Sequence, residues 1–225
     1  MFETRHTAPA AAGLSIETRG EGEEKRPVLV GYAAVYYRAG NPGTEYWLWD
    51  DLVERIMPGA FKAAVAEGDD ARGLFNHDVD NLLGLRSNGT VRLSQDKTGL
   101  KYEIDLPDTT LGRDLVELVG RGDVPGSSFA FRTHGGVRGK VTWTEETEDG
   151  RTVDVREVHD LELADVGPVT RPAYTGTTTG LRDAADLVDA ERVNAERQAW
   201  RASLTGDYPD EVDLRAALVR AQRPL

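Results

Sequence analysis

The chain has 225 residues, with 27 Lys plus Arg against 39 Asp plus Glu, so its formal net charge is −12. That balance argues against a nucleic-acid binder that works by neutralising phosphates, and no basic stripe offsets it. Cysteine is absent, which excludes disulfides, thiolate metal sites and a cysteine nucleophile, and no apolar run approaches the roughly 20 residues of a membrane span.

Residues 1–26 open with a Pro/Ala/Gly-rich patch and end in Gly20-Glu21-Gly22-Glu23-Glu24-Lys25-Arg26. Only Leu14-Ser15-Ile16-Glu17-Thr18 alternates like a strand, so the segment reads as a flexible leader, without the apolar core of a signal peptide. Apolar density rises at Val28, and residues 28–37 are β-branched and aromatic, as strands are. Residues 52–56 follow as a strand, then Pro58-Gly59-Ala60-Phe61-Lys62-Ala63-Ala64-Val65 as a short helix with Phe61 and Val65 on one face. Leu74-Phe75-Asn76-His77 reads as a strand end and residues 82–85 as another short strand; Asn88-Gly89 is a hairpin turn signal before Val91-Arg92-Leu93. Residues 100–106 alternate strictly. A helix then opens at Asp108 or Thr109, carries Leu111, Leu115, Leu118 and Val119 on one stripe, and stops at Gly122. The strand around Ser128 comes next, then a hairpin across Glu148-Asp149-Gly150, and a last strand over residues 161–166.

Many short strands with two internal helices do not suit a doubly wound parallel sheet. The expected fold is mainly β (α+β), a mostly antiparallel β-barrel with a few surrounding helices. The expected division is a leader over 1–26, a catalytic domain over 27–182 and a polar, partly helical tail over 183–225. The tail is Ala/Glu/Arg-rich, is broken at Gly206-Asp207-Tyr208-Pro209 and resumes helical character over 212–218.

Three residue types at three places suggest acyl-transfer chemistry. Ser128 lies in Gly126-Ser127-Ser128-Phe129-Ala130-Phe131, where Phe129 and Phe131 share one side of a strand and Ser128 and Ala130 the other, with Ser127 as a neighbouring competitor. Because the strand continues past Ser128, the strand–turn–helix context of a nucleophile elbow is missing. His77 follows an apolar strand and precedes an acidic turn, unlike His6 in the leader, His134 before two glycines, or His159 among charges. Asp165 stands among Leu, Ala and Val, where a carboxylate needs a partner such as an imidazole N–H. Glu162 and Asp160 are its rivals, and alternation puts Glu162 on the face opposite Asp165. Hydroxyl, imidazole and carboxylate can serve as nucleophile, base and orienting group. Each also has an ordinary structural reading, and a metal site of His77, Asp78 and Asp80 is an open alternative.

Six segments, in order, resemble the HK97 prohead protease family of tailed phages, the head maturation serine proteases. They are Gly31-Tyr32-Ala33-Ala34-Val35-Tyr36; Glu54-Arg55-Ile56-Met57-Pro58-Gly59-Ala60-Phe61; Asn76-His77-Asp78 with Leu83-Gly84; Leu106-Pro107-Asp108-Thr109 with Gly112-Arg113-Asp114; Gly126 to Phe131; and Val169-Thr170-Arg171-Pro172-Ala173-Tyr174. The resemblance covers residues 28–179 and implies a serine endopeptidase related in fold to the herpesvirus assembly proteases. It places the family histidine on His77, the serine on Ser128 and the acidic position on Asp165, where the family often has glutamate; Gly167 stands where the family has serine. It further implies the major capsid protein and a scaffold segment as substrates, self-cleavage, self-association, and action inside the procapsid in the host-cell cytoplasm. No cofactor, metal, nucleic acid or membrane partner is expected. An inactive internal scaffold protein of the same fold is the alternative.

Overall fold

A computed structural model describes residues 2–22, 25–148, 150–171 and 184–205. In chain order the elements begin β1 (Glu3–Thr7), α1 (Pro9–Ala12), β2 (Ser15–Arg19), β3 (Arg26–Val35), β4 (Tyr46–Trp49) and β5 (Leu52–Ile56). They continue with β6 (Arg72–Leu74), β7 (Leu82–Leu85), β8 (Val91–Gln95), β9 (Gly99–Asp105) and α2 (Thr110–Arg121). β10 (Gly126–Arg132), β11 (Lys140–Glu148), β12 (Arg151–Asp160), β13 (Glu162–Val169) and α3 (Ala184–Thr205) complete them.

The strands form three sheets, ordered β1-β10-β13-β6-β7, β11-β12-β5-β4 and β2-β3-β9-β8. Pairing is antiparallel except at β5–β12 and β6–β13. The protein is thus mainly β with few helices, as the strand-rich sequence implies, but among the described residues no sheet closes into a barrel. Closure needs the outer strands of a sheet to pair, and the first sheet instead ends on five-residue β1 and four-residue β7. The turn at Asn88-Gly89 exists, with Gly89 at φ 73°, yet it is not a hairpin. β7 before it pairs with β6, whereas β8 after it pairs with β9 in another sheet. The true hairpin is β8–β9, closed by Asp96, whose carboxylate accepts the backbone N–H of Thr98 and Gly99.

One apolar core joins the sheets. Leu100, Tyr102 and Ile104 of β9 point into it, and so do Phe129 and Phe131 of β10, whose rings stack at 5.1 Å. Phe61 and Tyr46 pack edge-on against Phe129, at 5.6 and 6.0 Å. Losing either β10 ring would cost about 3–5 kcal/mol, so the strand carrying Ser128 is held from behind. α2 is capped at its start by Thr109, whose hydroxyl accepts the Gly112 N–H, and at its end by left-handed Gly122. The expected helix over 58–65 forms only in its second half: residues 58–61 are turns, 62–63 are α-helical, and a π-helical turn follows at Ala64–Gly68.

The alternation over residues 14–18 is the strand β2, which pairs with β3, but the flexible-leader reading fails at Glu3–Thr7, the edge strand beside β10. β1 buries Glu3, Arg5 and Thr7. Its inward face is polar, so apolar patterning gives no sign of it. Arg5 pairs with Glu54 (2.7 Å) and Glu3 (3.0 Å); Arg156, fully buried, pairs with Glu3 (2.8 Å) and Glu54 and donates to Thr133 Oγ1 (2.9 Å). From α3, Arg192 reaches Glu3 (2.8 Å) and Arg201 reaches buried Asp154 (2.7 Å), while Arg197 holds Asp51 (2.7 Å) and Asp154. Trp200 stacks on Trp143 at 5.8 Å. The first part of the expected tail is therefore a docked helix; the stretch over 212–218 lies outside the described residues.

Candidate active site

β10 runs between β1 and β13, and register decides what shares the face of Ser128. His6 and Gly167 are its cross-strand partners, and Thr4 and Asp165 are those of Ala130. Partners lie on one face of a sheet, so Ser128, His6 and Asp165 look the same way, with Phe129 and Phe131 on the other. Ser127 goes with the phenylalanines: its hydroxyl meets Tyr102 OH at 2.9 Å inside the core. The two adjacent serines are thus separated by strand alternation.

β13 carries a bulge between its pairings with Ala130 and Phe131, so Leu163 faces Phe131, Asp165 faces Ala130, and Ala164 is the extra residue. This corrects the alternation argument. Glu162, the partner of Arg132, lies on the same face as Asp165, not the opposite one. It is engaged elsewhere, pairing with Arg132 and accepting the Val137 N–H at 3.0 Å. Asp160 is at the end of β12, opposite Lys140.

His77 arrives from the loop after β6. Asn76 and His77 both have positive φ, 56° and 59°. Asn and His enter the left-handed region more readily than most residues, at a cost of about 1–3 kcal/mol each. The loop is stitched to β13: Asn76 N–H donates to Pro168 O (3.1 Å), and the Asn76 side-chain oxygen accepts Thr170 N–H (2.9 Å) and its hydroxyl (3.3 Å). Gly167 permits this approach, since a Cβ there would lie 1.8 Å from the Leu74 carbonyl oxygen. Asn76→Ala removes both the side-chain tie to Thr170 and the residue suited to φ 56°. It should slow turnover at least tenfold and lower stability by about 1–3 kcal/mol; Asn76→Gly, which keeps only the backbone freedom, should recover the stability but not the rate. Urea unfolding beside a cleavage assay reads both.

The result is a chain of contacts. His77 Nδ1 is 2.6 Å from Asp165 Oδ1, and His77 Nε2 is 2.5 Å from Ser128 Oγ. Donation of Nδ1–H to the carboxylate leaves Nε2 as acceptor for the hydroxyl. The hydroxyl has a second acceptor, the Arg5 carbonyl of β1, at 2.8 Å. Ser128 is fully buried, whereas the His77 and Asp165 side chains are 19% and 13% exposed. Both imidazole nitrogens are occupied, and Asp78 is turned to its own loop, accepting from Asp80 N–H (2.9 Å) and Asn81 (3.0 Å). Among the described residues no cluster of His and carboxylates has the form of a metal site. Thr170 N–H is taken by Asn76, and Arg171 is exposed just past β13.

The imidazole bridging a hydroxyl and a carboxylate is the arrangement by which serine hydrolases make an alcohol nucleophilic, recurring on unrelated folds. The family model of the caudovirus prohead serine proteases matches residues 14–190, and the chain belongs to that family. Among solved structures it is similar to the capsid assembly protease gp21 of bacteriophage T4, at 14% identity over 76% of this chain and 97% of that chain, with a TM-score of 0.42. No curated protein matches the chain. The site lies within the family segment; β1, with Arg5 and His6, lies before it. Sequence reasoning leaves these two in the leader, and only the β1–β10 register identifies them.

Proposed function

We propose that the chain is a serine endopeptidase of phage procapsid maturation, with Ser128 as nucleophile, His77 as general base and acid, and Asp165 as the group that orients and stabilises the imidazole. The observation carrying this reading is the unbroken contact chain Asp165–His77–Ser128 inside a prohead-protease segment. His77 takes the Ser128 proton as Oγ attacks a peptide carbonyl and returns it to the leaving amine; water then repeats the cycle on the acyl-enzyme. Asp165 stays ionised throughout.

The substrates in this reading are the major capsid protein, a scaffold segment and the protease itself, met inside the procapsid in the host cytoplasm, where self-association raises local concentration. Among the described residues no helix is long and apolar enough to cross a membrane. Removing residues 1–26 would strip β1 from β10, so self-cleavage that preserves the enzyme falls nearer the C-terminus.

Co-expression with the neighbouring capsid protein, read by mass spectrometry of both proteins' ends, tests the reading. Wild type should yield a shortened capsid protein and Ser128→Ala an intact one. Equal processing by both removes Ser128 from the mechanism, and no processing by either favours an inactive assembly protein. Intact protease ends in mature particles would dispose of self-cleavage.

A further inference from the structure

His6 lies on the face of β1 turned toward Ser128, its direct cross-strand partner. Its half-buried ring stands perpendicular to that of His77, with the centroids 5.9 Å apart. The contact matters because of what already holds His77. Hydrogen bonds at imidazole nitrogens are directed in the ring plane, close to the line through Nδ1 and Nε2, and His77 makes one at each nitrogen, to Asp165 and to Ser128. They fix the two nitrogens and leave the tilt of the ring about the line joining them to be set by packing. The Asn76 ties to Pro168 and Thr170 hold the loop backbone in place but do not touch the ring itself. Ring packing from a rigid neighbour supplies the missing restraint.

His6 is on such a neighbour. β1 pairs with β10 along its whole length, and its other face is locked by Glu3 and Arg5 into the buried pairs with Glu54, Arg156 and Arg192. We infer that His6 is a positioning residue of the protease: its ring packs on His77 and sets the tilt at which Nε2 meets the Ser128 hydroxyl. This rests on the protease reading above, and it extends the site to a strand outside the segment that the family model matches. The requirement is for a flat ring, so phenylalanine should substitute where glutamine, of similar length, should not.

The experiment compares His6→Phe and His6→Gln in the full chain, with two readouts. In the proton NMR spectrum, the far-downfield Nδ1–H signal of His77, assigned by its loss in Asp165→Asn, reports the imidazole held against the carboxylate without any substrate. It should persist in His6→Phe and broaden or vanish in His6→Gln. In capsid-protein cleavage, His6→Gln should lose kcat by about ten- to a hundredfold with KM little changed, since a small misplacement of reacting groups costs that much. His6→Phe should restore most of it. Equal loss in both variants, or loss in neither, overturns the inference. A wild type that cleaves nothing defeats the protease reading instead, while the NMR comparison still tests the ring contact.

Discussion

Purified Ser128→Ala should retain the fold and lose about 10⁶-fold in kcat, because nucleophile and base act as a unit and neither works alone. Asp165→Asn should cost about 10⁴-fold by a different route. An amide at this position can present its NH₂ to Nδ1, which favours the tautomer with the proton on Nε2 and turns the base away from its task. The 2.6 Å contact would survive while the chemistry stops. Ser127→Ala is the informative control, one residue away on the same strand. Its hydroxyl faces Tyr102 in the core, where burial pushes the phenol up and keeps it a neutral partner. That variant should lose about 1–3 kcal/mol of stability, the cost of a buried polar group left without its bond, and keep most of its turnover. Rates of capsid-protein cleavage together with urea midpoints separate the three; a Ser127→Ala enzyme as inactive as Ser128→Ala would mean the wrong serine has been assigned.

Glu3→Gln should be strongly destabilising, at about 3–5 kcal/mol, because it removes the countercharge that the buried guanidiniums of Arg5, Arg156 and Arg192 share. Burial alone pushes the Glu3 carboxyl up, but Arg156, Arg192 and Arg5 outweigh it and hold the group well below its ordinary value of 4.5. A carboxyl held low when folded contributes stability that is complete above its unfolded value and is lost as pH falls through the folded one. Wild-type stability should therefore decline as pH drops below 4.5. Glu3→Gln should start lower at neutral pH and decline less steeply. Some slope should remain from Glu103, pulled down to about 2 chiefly by its bond to Arg19. Urea unfolding across that range is the measurement, and parallel curves for the two proteins would remove Glu3 from the account. Since Glu3 also binds Arg192, its loss should loosen α3 along with β1.

What could be read without coordinates follows from where apolar residues mark the inside. β9 alternates between core and solvent, and α2 has an apolar stripe with a cap at each end, so both are plain in the sequence. Ser128 and His77 stand out because each adjoins a run of such residues. β1 is invisible by the same rule, since its buried positions are Glu3, Arg5 and Thr7 and their partners are Arg156 and Arg192, far away in the chain. α3 docks largely through arginines and so resembles a solvated tail. The division of β7 and β8 between two sheets is equally hidden, because a turn signal reports that the chain reverses and not which strand it joins.

The extra residue at Ala164 makes the third member of the site a matter of counting. Leu163 and Val166 both face the core although three positions separate them, and Asp165 looks outward only because the strand gains one residue between. An insertion or deletion here is therefore graver than a substitution at Asp165 itself, for it would exchange inside and outside along one end of β13. Relatives in which this stretch has a different length would have to recruit their carboxylate from a neighbouring position, and aligning acidic residues by spacing alone would then pair the wrong ones.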